Sequence, residues 1–208
     1  MKTKICGMKY PENIREIAQL QPDLMGFIFY NKSPRYVGED FSKKILEELP
    51  SNIKKVGIFV NEPIKSIISI QEKYNFDFLQ LHGTETPTYC QTLQSKNYAI
   101  IKAFGIKTGF NFSSLVAYEA FCDFFLFDTH YSDFGGSGKV FDWEILRNYS
   151  LKTAFFLSGG LSEENLEKIS QISSDKIYAL DFNSKLESEI ALKNIHKTKS
   201  IIKKVQKL

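Results

Sequence analysis

The sequence predicts a single-domain α/β chain, residues 1–208, in which eight parallel strands close into a (β/α)8 TIM barrel. Three observations predict it. Short, almost wholly apolar runs alternate about eight times with segments of helical periodicity, as strands covered on both faces require. The polar and glycine-rich turns follow strands rather than precede them, which gathers the candidate chemistry on the carboxyl face of a barrel. The glycine clusters come late, after the sixth and seventh strands, whereas an open doubly wound sheet normally carries its phosphate loop after the first.

The elements follow in order. Lys4-Ile5-Cys6-Gly7 is a short strand that brings a thiol to a glycine turn, and Tyr10-Pro11 opens a helix with Ile14, Ile17 and Ala18 on one face. Leu24 to Phe29 is the second strand, and its exit, Asn31 to Tyr36, carries Pro34 and Arg35. A helix is expected from about Asp40 to Leu49, a strand over 55–60, and a helix opened by Pro63. Strand four, 76–81, leads to His82-Gly83, and Thr86-Pro87 begins the next helix. Strand five spans 98–104, followed by a helix over 113–121; strand six, 124–127, ends on Asp128. Asp142-Trp143 start the sixth helix, 154–157 is strand seven, and Ser162 caps a helix with Glu163 and Glu164 in its first turn. Strand eight, 177–180, runs out to Asp181, Asn183 and Ser184 before a lysine-rich final helix.

A chain of 208 residues that is 43% hydrophobic buries a full core as one domain. The net charge of +3 comes from nearly balanced totals, so no concentrated polyanion-binding surface is implied and nucleic acid is not an expected partner. Three cysteines without CxxC spacing argue against a disulfide framework and a structural zinc site, and fit a reducing cytoplasm. No apolar run of signal-peptide or membrane-spanning length occurs, so no membrane partner is expected.

The chemistry is expected at the strand ends. Gly135-Gly136-Ser137-Gly138 and Ser158-Gly159-Gly160, with Asn183-Ser184, let backbone amides approach an anion and predict a phosphate site; either glycine cluster alone reads equally well as a flexible turn. Residues ending strands one and six lie across a barrel mouth, so Cys6 and Asp128 are candidates for a paired acid and base around one small substrate. Apolar neighbours such as Phe124 and Leu126 would raise the Asp128 pKa, and anion-binding helix ends would favour a Cys6 thiolate. Arg35 either clamps a carboxylate or lies solvated on the surface, and His82 either touches substrate or caps its loop. His130 and His196 lack metal-ligand spacing, so no metal is expected. Cys90 and Cys122 read as core residues. Lys4 shares the strand parity of Cys6, so it points into the barrel, where Asp181 on neighbouring strand eight is a partner within reach.

From end to end the chain resembles phosphoribosylanthranilate isomerases. The resemblance is carried by Lys4-Ile5-Cys6-Gly7, Gly26 to Phe29 with Ser33-Pro34-Arg35, Val56 to Asn61, Gln80-Leu81-His82-Gly83, Phe127-Asp128 with Gly135 to Gly138, Leu157 to Leu161, and Asp181 to Ser184, in that order. It implies an Amadori rearrangement of N-(5-phosphoribosyl)anthranilate, with Asp128 as general acid and Cys6 as general base. It also implies Arg35 on the anthranilate carboxylate, Asp181 near the amino group, the glycine turns on the phosphate, and no metal or redox cofactor. The implied partner is a small phosphoribosyl molecule, and the protein is expected as a monomer or homodimer. The sequence departs from the family in the eighth loop, where Ser-Ser-Gly-Val-Glu is replaced by Asn183-Ser184-Lys185-Leu186-Glu187, and Gly-x-Lys-Asp by Ala191-Leu192-Lys193-Asn194. Lys185 is expected to supply charge where a glycine would give close backbone approach. A sister isomerase acting on a phosphoribosyl imidazole generally has aspartate where Cys6 stands, and a phosphate-binding barrel without catalysis would rest on the altered eighth loop alone.

Overall fold

The structure, a computed structural model, describes residues 1–129, 143–170, 172 and 175–208. Eight parallel strands, β1 (Lys2–Ile5), β2 (Leu24–Ile28), β3 (Lys54–Phe59), β4 (Phe78–Leu81), β5 (Ile100–Ile106), β6 (Phe124–Thr129), β7 (Phe155–Leu157) and β8 (Ile177–Phe182), close into a barrel in chain order. The seam between β1 and β8 pairs Lys4 with Asp181, so two same-facing positions on neighbouring strands bring the side chains together. The barrel of the sequence reading is therefore the fold.

Around it lie α1 (Pro11–Gln19), α2 (Lys43–Glu47), α3 (Ile64–Tyr74), α4 (Pro87–Gln94), α5 (Leu166–Ser170) and α6 (Ile195–Val205). The signals at their ends act as expected. Pro11 stands at the start of α1, and Thr86 Oγ1 caps α4 by accepting from the Tyr89 amide at 3.2 Å. Most of the core lies between barrel and helices, where Phe27, Phe29, Phe41, Tyr74 and Phe76 pack ring against ring. A smaller cluster fills the barrel itself, with the Phe124 and Tyr178 rings tilted against each other at 4.2 Å between centroids. Ring packing of this kind adds to the burial of apolar area.

Four expectations are corrected. The second helix is only Lys43–Glu47: Phe41 stays outside it and is held by Tyr74, whose hydroxyl donates to the Phe41 carbonyl at 2.8 Å. The segment after β5 is a 3-10 helix, Phe112–Tyr118, because Asn111 and Ser114 compete for its backbone groups. Trp143–Asn148 is likewise a 3-10 helix, and Asp142, expected to start it, lies outside the described residues. Strands six and eight run further than expected, so Asp128 and Asp181 belong to β6 and β8 themselves. The structure adds an antiparallel hairpin, β9 (Glu187–Glu189) and β10 (Leu192–Lys193), between β8 and α6.

Candidate active site

A cavity of about 730 Å3 opens at the carboxyl ends of the strands. Cys6, Arg35, His82, Asp128 and Asp181 line it, as do Gly159, Gly160, Asn183 and Ser184. Strand geometry explains the gathering: in a parallel barrel the strand ends and the turns after them share one rim, and alternate side chains point inward. Gly135, Gly136, Ser137 and Gly138 lie outside the described residues, as does His130.

At the floor of the cavity sits a buried ion pair. Lys4 Nζ donates to Asp181 Oδ2 at 2.9 Å; Lys4 is sealed from solvent, and Asp181 is buried but lines the cavity. Burial alone would lower the Lys4 pKa, but Asp181 and Cys6 beside it reverse the effect and raise it. Burial pushes the Asp181 carboxyl up, against the pull of Lys4. Its second oxygen, Oδ1, has no hydrogen-bond partner among the described residues.

Burial also pushes the Cys6 thiol above its ordinary value; Lys4 and Lys193 draw it only part of the way back. The expected thiolate favoured by helix ends is thus corrected. At this depth the loss of solvation outweighs the nearby cations, and the cations are lysine side chains rather than helix dipoles.

Across the mouth a chain of polar groups leads to Asp128. The Gln80 side-chain amide meets His82 Nδ1 at 2.9 Å, and His82 Nε2 lies 3.5 Å from Asp128 Oδ2. Asp128 Oδ1 accepts from the Thr129 amide at 2.7 Å. His82 is thus tied to both Gln80 and Asp128 and forms part of the cavity wall. Under it, Lys102 and Glu85 form a second buried pair at 3.0 Å, with Lys102 donating to the Gly83 carbonyl at 2.9 Å and Glu85 accepting from the Gly83 amide.

Arg35 is not a solvated surface residue. Its Nε and Nη2 each donate to one oxygen of Glu187 at 2.7 Å, and Glu187 also accepts from the buried Lys193 at 2.7 Å. Sequence reasoning missed Gln80, Glu85, Lys102, Glu187 and Lys193. The parity argument that found Lys4 applies equally to Lys102, a lone cation in an apolar strand. Strand parity gives no such signal for Glu187 and Lys193, which reach the site on a hairpin outside the barrel pattern; what could have found them is that both keep the family's charged residue in the two altered motifs of the eighth loop.

The whole chain can now be set against known proteins. A family model described as PRAI, N-(5'phosphoribosyl)anthranilate (PRA) isomerase, matches residues 3–204. The chain belongs to this isomerase family. An N-(5'-phosphoribosyl)anthranilate isomerase from Parabacteroides distasonis is 44% identical over 206 residues, covering 99% of this chain and 93% of the relative. The crystal structure of phosphoribosyl anthranilate isomerase from Thermotoga maritima is similar with a TM-score of 0.88 at 31% identity, over 100% of both chains. A phosphoribosyl anthranilate isomerase in complex with reduced 1-(o-carboxyphenylamino)-1-deoxyribulose 5-phosphate is similar with a TM-score of 0.84 at 28% identity, again over 100% of both chains.

Within the family pattern the two departures of the eighth loop fall in different places. Lys185 lies in a 3-10 turn, Ser184–Leu186, is not among the residues with positive φ, and lines the cavity. Its position therefore makes no demand for glycine. Ala191 does take a left-handed conformation, φ +67°, and is fully buried at the turn of the β9–β10 hairpin. The strain of the departure is thus carried at 191, away from the cavity wall. Among the described residues no helix is long and apolar enough to cross a membrane, and no group of three or more His, Cys, Asp or Glu could hold a metal ion.

Proposed function

We propose that the protein converts N-(5'-phosphoribosyl)anthranilate to 1-(2-carboxyphenylamino)-1-deoxyribulose 5-phosphate in tryptophan biosynthesis, with Asp128 as general acid and Cys6 as general base. The observation that carries the proposal is that both groups line one cavity in a chain of this isomerase family. Asp128 gives its proton to the ribose ring oxygen, the C1–O bond breaks, and the nitrogen lone pair forms the Schiff base. Cys6 then takes the C2 proton, and the electrons of that C–H bond neutralise the iminium to give an enolamine. Tautomerisation to the ketone completes the isomerisation, and the numbers of atoms and electrons in the molecule are unchanged. No external oxidant or reductant enters.

Arg35 receives the anthranilate carboxylate, Asp181 lies near the amino nitrogen, and His82 supports the substrate beside Asp128. The phosphate sits against Gly159, Gly160, Asn183 and Ser184, together with the turn from Gly135 to Gly138, where backbone amides and glycine give close approach. The protein works in the cytoplasm on this small phosphoribosyl molecule, as a monomer or homodimer, and not on nucleic acid or membrane. The test is Cys6→Ala and Asp128→Asn in an anthranilate fluorescence assay. Each should lower kcat by at least about a hundredfold with melting behaviour retained, and near-normal turnover of either variant refutes its role.

A further inference from the structure

We propose that Glu187 and Lys193, carried by the β9–β10 hairpin, are positioning residues for Arg35: they hold one edge of its guanidinium so that the other edge receives the substrate carboxylate. The inference rests on the reading of Arg35 as the carboxylate contact and extends it to two residues that do not line the cavity.

The geometry is that of a planar fork with two usable edges. Arg35 spends Nε–H and one Nη2–H on the two oxygens of Glu187, both at 2.7 Å. This side-on pairing leaves the end-on edge, formed by Nη1 and the second Nη2 hydrogen, with the spacing that a second carboxylate needs. Glu187 therefore does not compete with a substrate carboxylate for Arg35; it fixes the plane in which that carboxylate is met. Glu187 is itself held. Burial would push its carboxyl up, but the Arg35 and Lys193 donors override this and keep it below the ordinary carboxylate range.

Lys193 is the centre of the arrangement. Its ammonium donates to Glu187 Oε1 at 2.7 Å and to Asn183 Oδ1 at 2.7 Å, and its side chain is fully buried. Its backbone is clipped to α1, with the Lys193 amide donating to Asn13 Oδ1 and Asn13 Nδ2 donating to the Lys193 carbonyl, both at 2.8 Å. A buried lysine fixed at both ends is costly to desolvate, so it is not a space filler. Two cations and one carboxylate leave one positive charge in excess, suited to an anionic ligand. Gly7 closes the packing: a Cβ there would stand 2.7 Å from Asn183 Oδ1 and 2.8 Å from Arg35 Cδ, so the turn after β1 and the Arg35 stem fit only because the residue is glycine.

The test uses fluorescence titration with two ligands, reduced 1-(o-carboxyphenylamino)-1-deoxyribulose 5-phosphate and its counterpart lacking the ring carboxyl. The ratio of their Kd values measures carboxylate recognition alone. In the unsubstituted protein the ratio should be large, and Arg35→Ala should bring it near one. Glu187→Gln keeps the shape and one acceptor oxygen, and should lower the ratio by about tenfold, the worth of one charge-assisted contact. Lys193→Met should act in the same direction, and Glu187→Gln added to Arg35→Ala should change the ratio no further. A ratio near one in the unsubstituted protein overturns the Arg35 reading itself. A large ratio left intact by Glu187→Gln, or losses that add in the double variant, overturns the positioning role while Arg35 stands. Should Lys193→Met fail to fold, the Glu187→Gln pair of measurements still decides.

Discussion

Gly159→Ala reports on the ground beneath Asp128. Gly159 has φ +90°, and a Cβ there would collide with Thr129 Oγ1 and stand 2.8 Å from the Thr129 amide nitrogen and 3.0 Å from Asp128 Oδ1. A left-handed backbone costs an alanine about 1–2 kcal/mol. Overpacking adds about 1–3 kcal/mol, because the Thr129 side chain could turn aside but the Thr129 amide behind it is backbone at the end of β6 and cannot. The expected loss is therefore about 2–5 kcal/mol, or roughly 5–15 °C in Tm for a chain of this size. The same displacement disturbs the 2.7 Å bond from the Thr129 amide that orients Asp128, so kcat should fall by about a hundredfold. Gly38→Ala is the control. Gly38 has φ +93° with nothing within 4 Å of its Cβ position, so it isolates the backbone cost and should leave kcat unchanged. The assay is thermal unfolding followed by steady-state anthranilate fluorescence on both variants. Equal losses in the two would show that close packing at 159 does not hold Asp128, and would refute the reasoning.

The buried pair at the cavity floor makes its own demands. Lys4→Met leaves Asp181 without its partner and should cost about 3–5 kcal/mol in urea unfolding, partly restored by adding Asp181→Asn. Because the folded-state pKa of Asp181 is raised, the stability linked to its protonated form is present at low pH and lost as pH rises, so the deficit of Lys4→Met should be larger at about pH 7 than at about pH 4; a deficit that grows on acidification contradicts this. Since burial raises the Cys6 thiol, the ascending limb of log kcat/KM against pH should have its midpoint above the ordinary thiol value of about 8.5, and a midpoint well below it would mean that the base is another group. Lys185→Ala should raise KM for the phosphorylated substrate at nearly constant kcat, whereas an unchanged KM removes Lys185 from the phosphate site.

What the sequence made legible follows from where repetition is strict. In the barrel each side chain's direction is fixed by alternation, so Lys4 beside Cys6 and opposite Asp181 was a deduction about facing, and the 2.9 Å pair across the seam bears it out. The barrel order likewise follows from apolar runs too continuous for a half-exposed sheet. Where the pattern is not periodic the reading weakened: serines and asparagine turned an expected helix into the 3-10 segment Phe112–Tyr118. Burial raises the Cys6 pKa where the sequence predicts a favoured thiolate, since sequence shows which charges are near a strand end but not how completely solvent is removed from it.

The hairpin residues show why the remainder stayed hidden. Glu187 and Lys193 keep the charged residues of the two altered family motifs, but no periodicity in the segment separates them from a solvated charge such as Glu189 nearby. Their meaning arises only when β9 and β10 fold back and place Lys193 between Asn183 and Glu187, with Arg35 arriving from the loop after β2. Segments about 150 residues apart in sequence thus complete one charge cluster. A desolvated charge is costly unless paired, so folding selects the partners together, and the barrel's strands set only the distance over which the hairpin must reach. The carboxylate-binding end of the cavity is for this reason a property of the tertiary contact rather than of either segment alone.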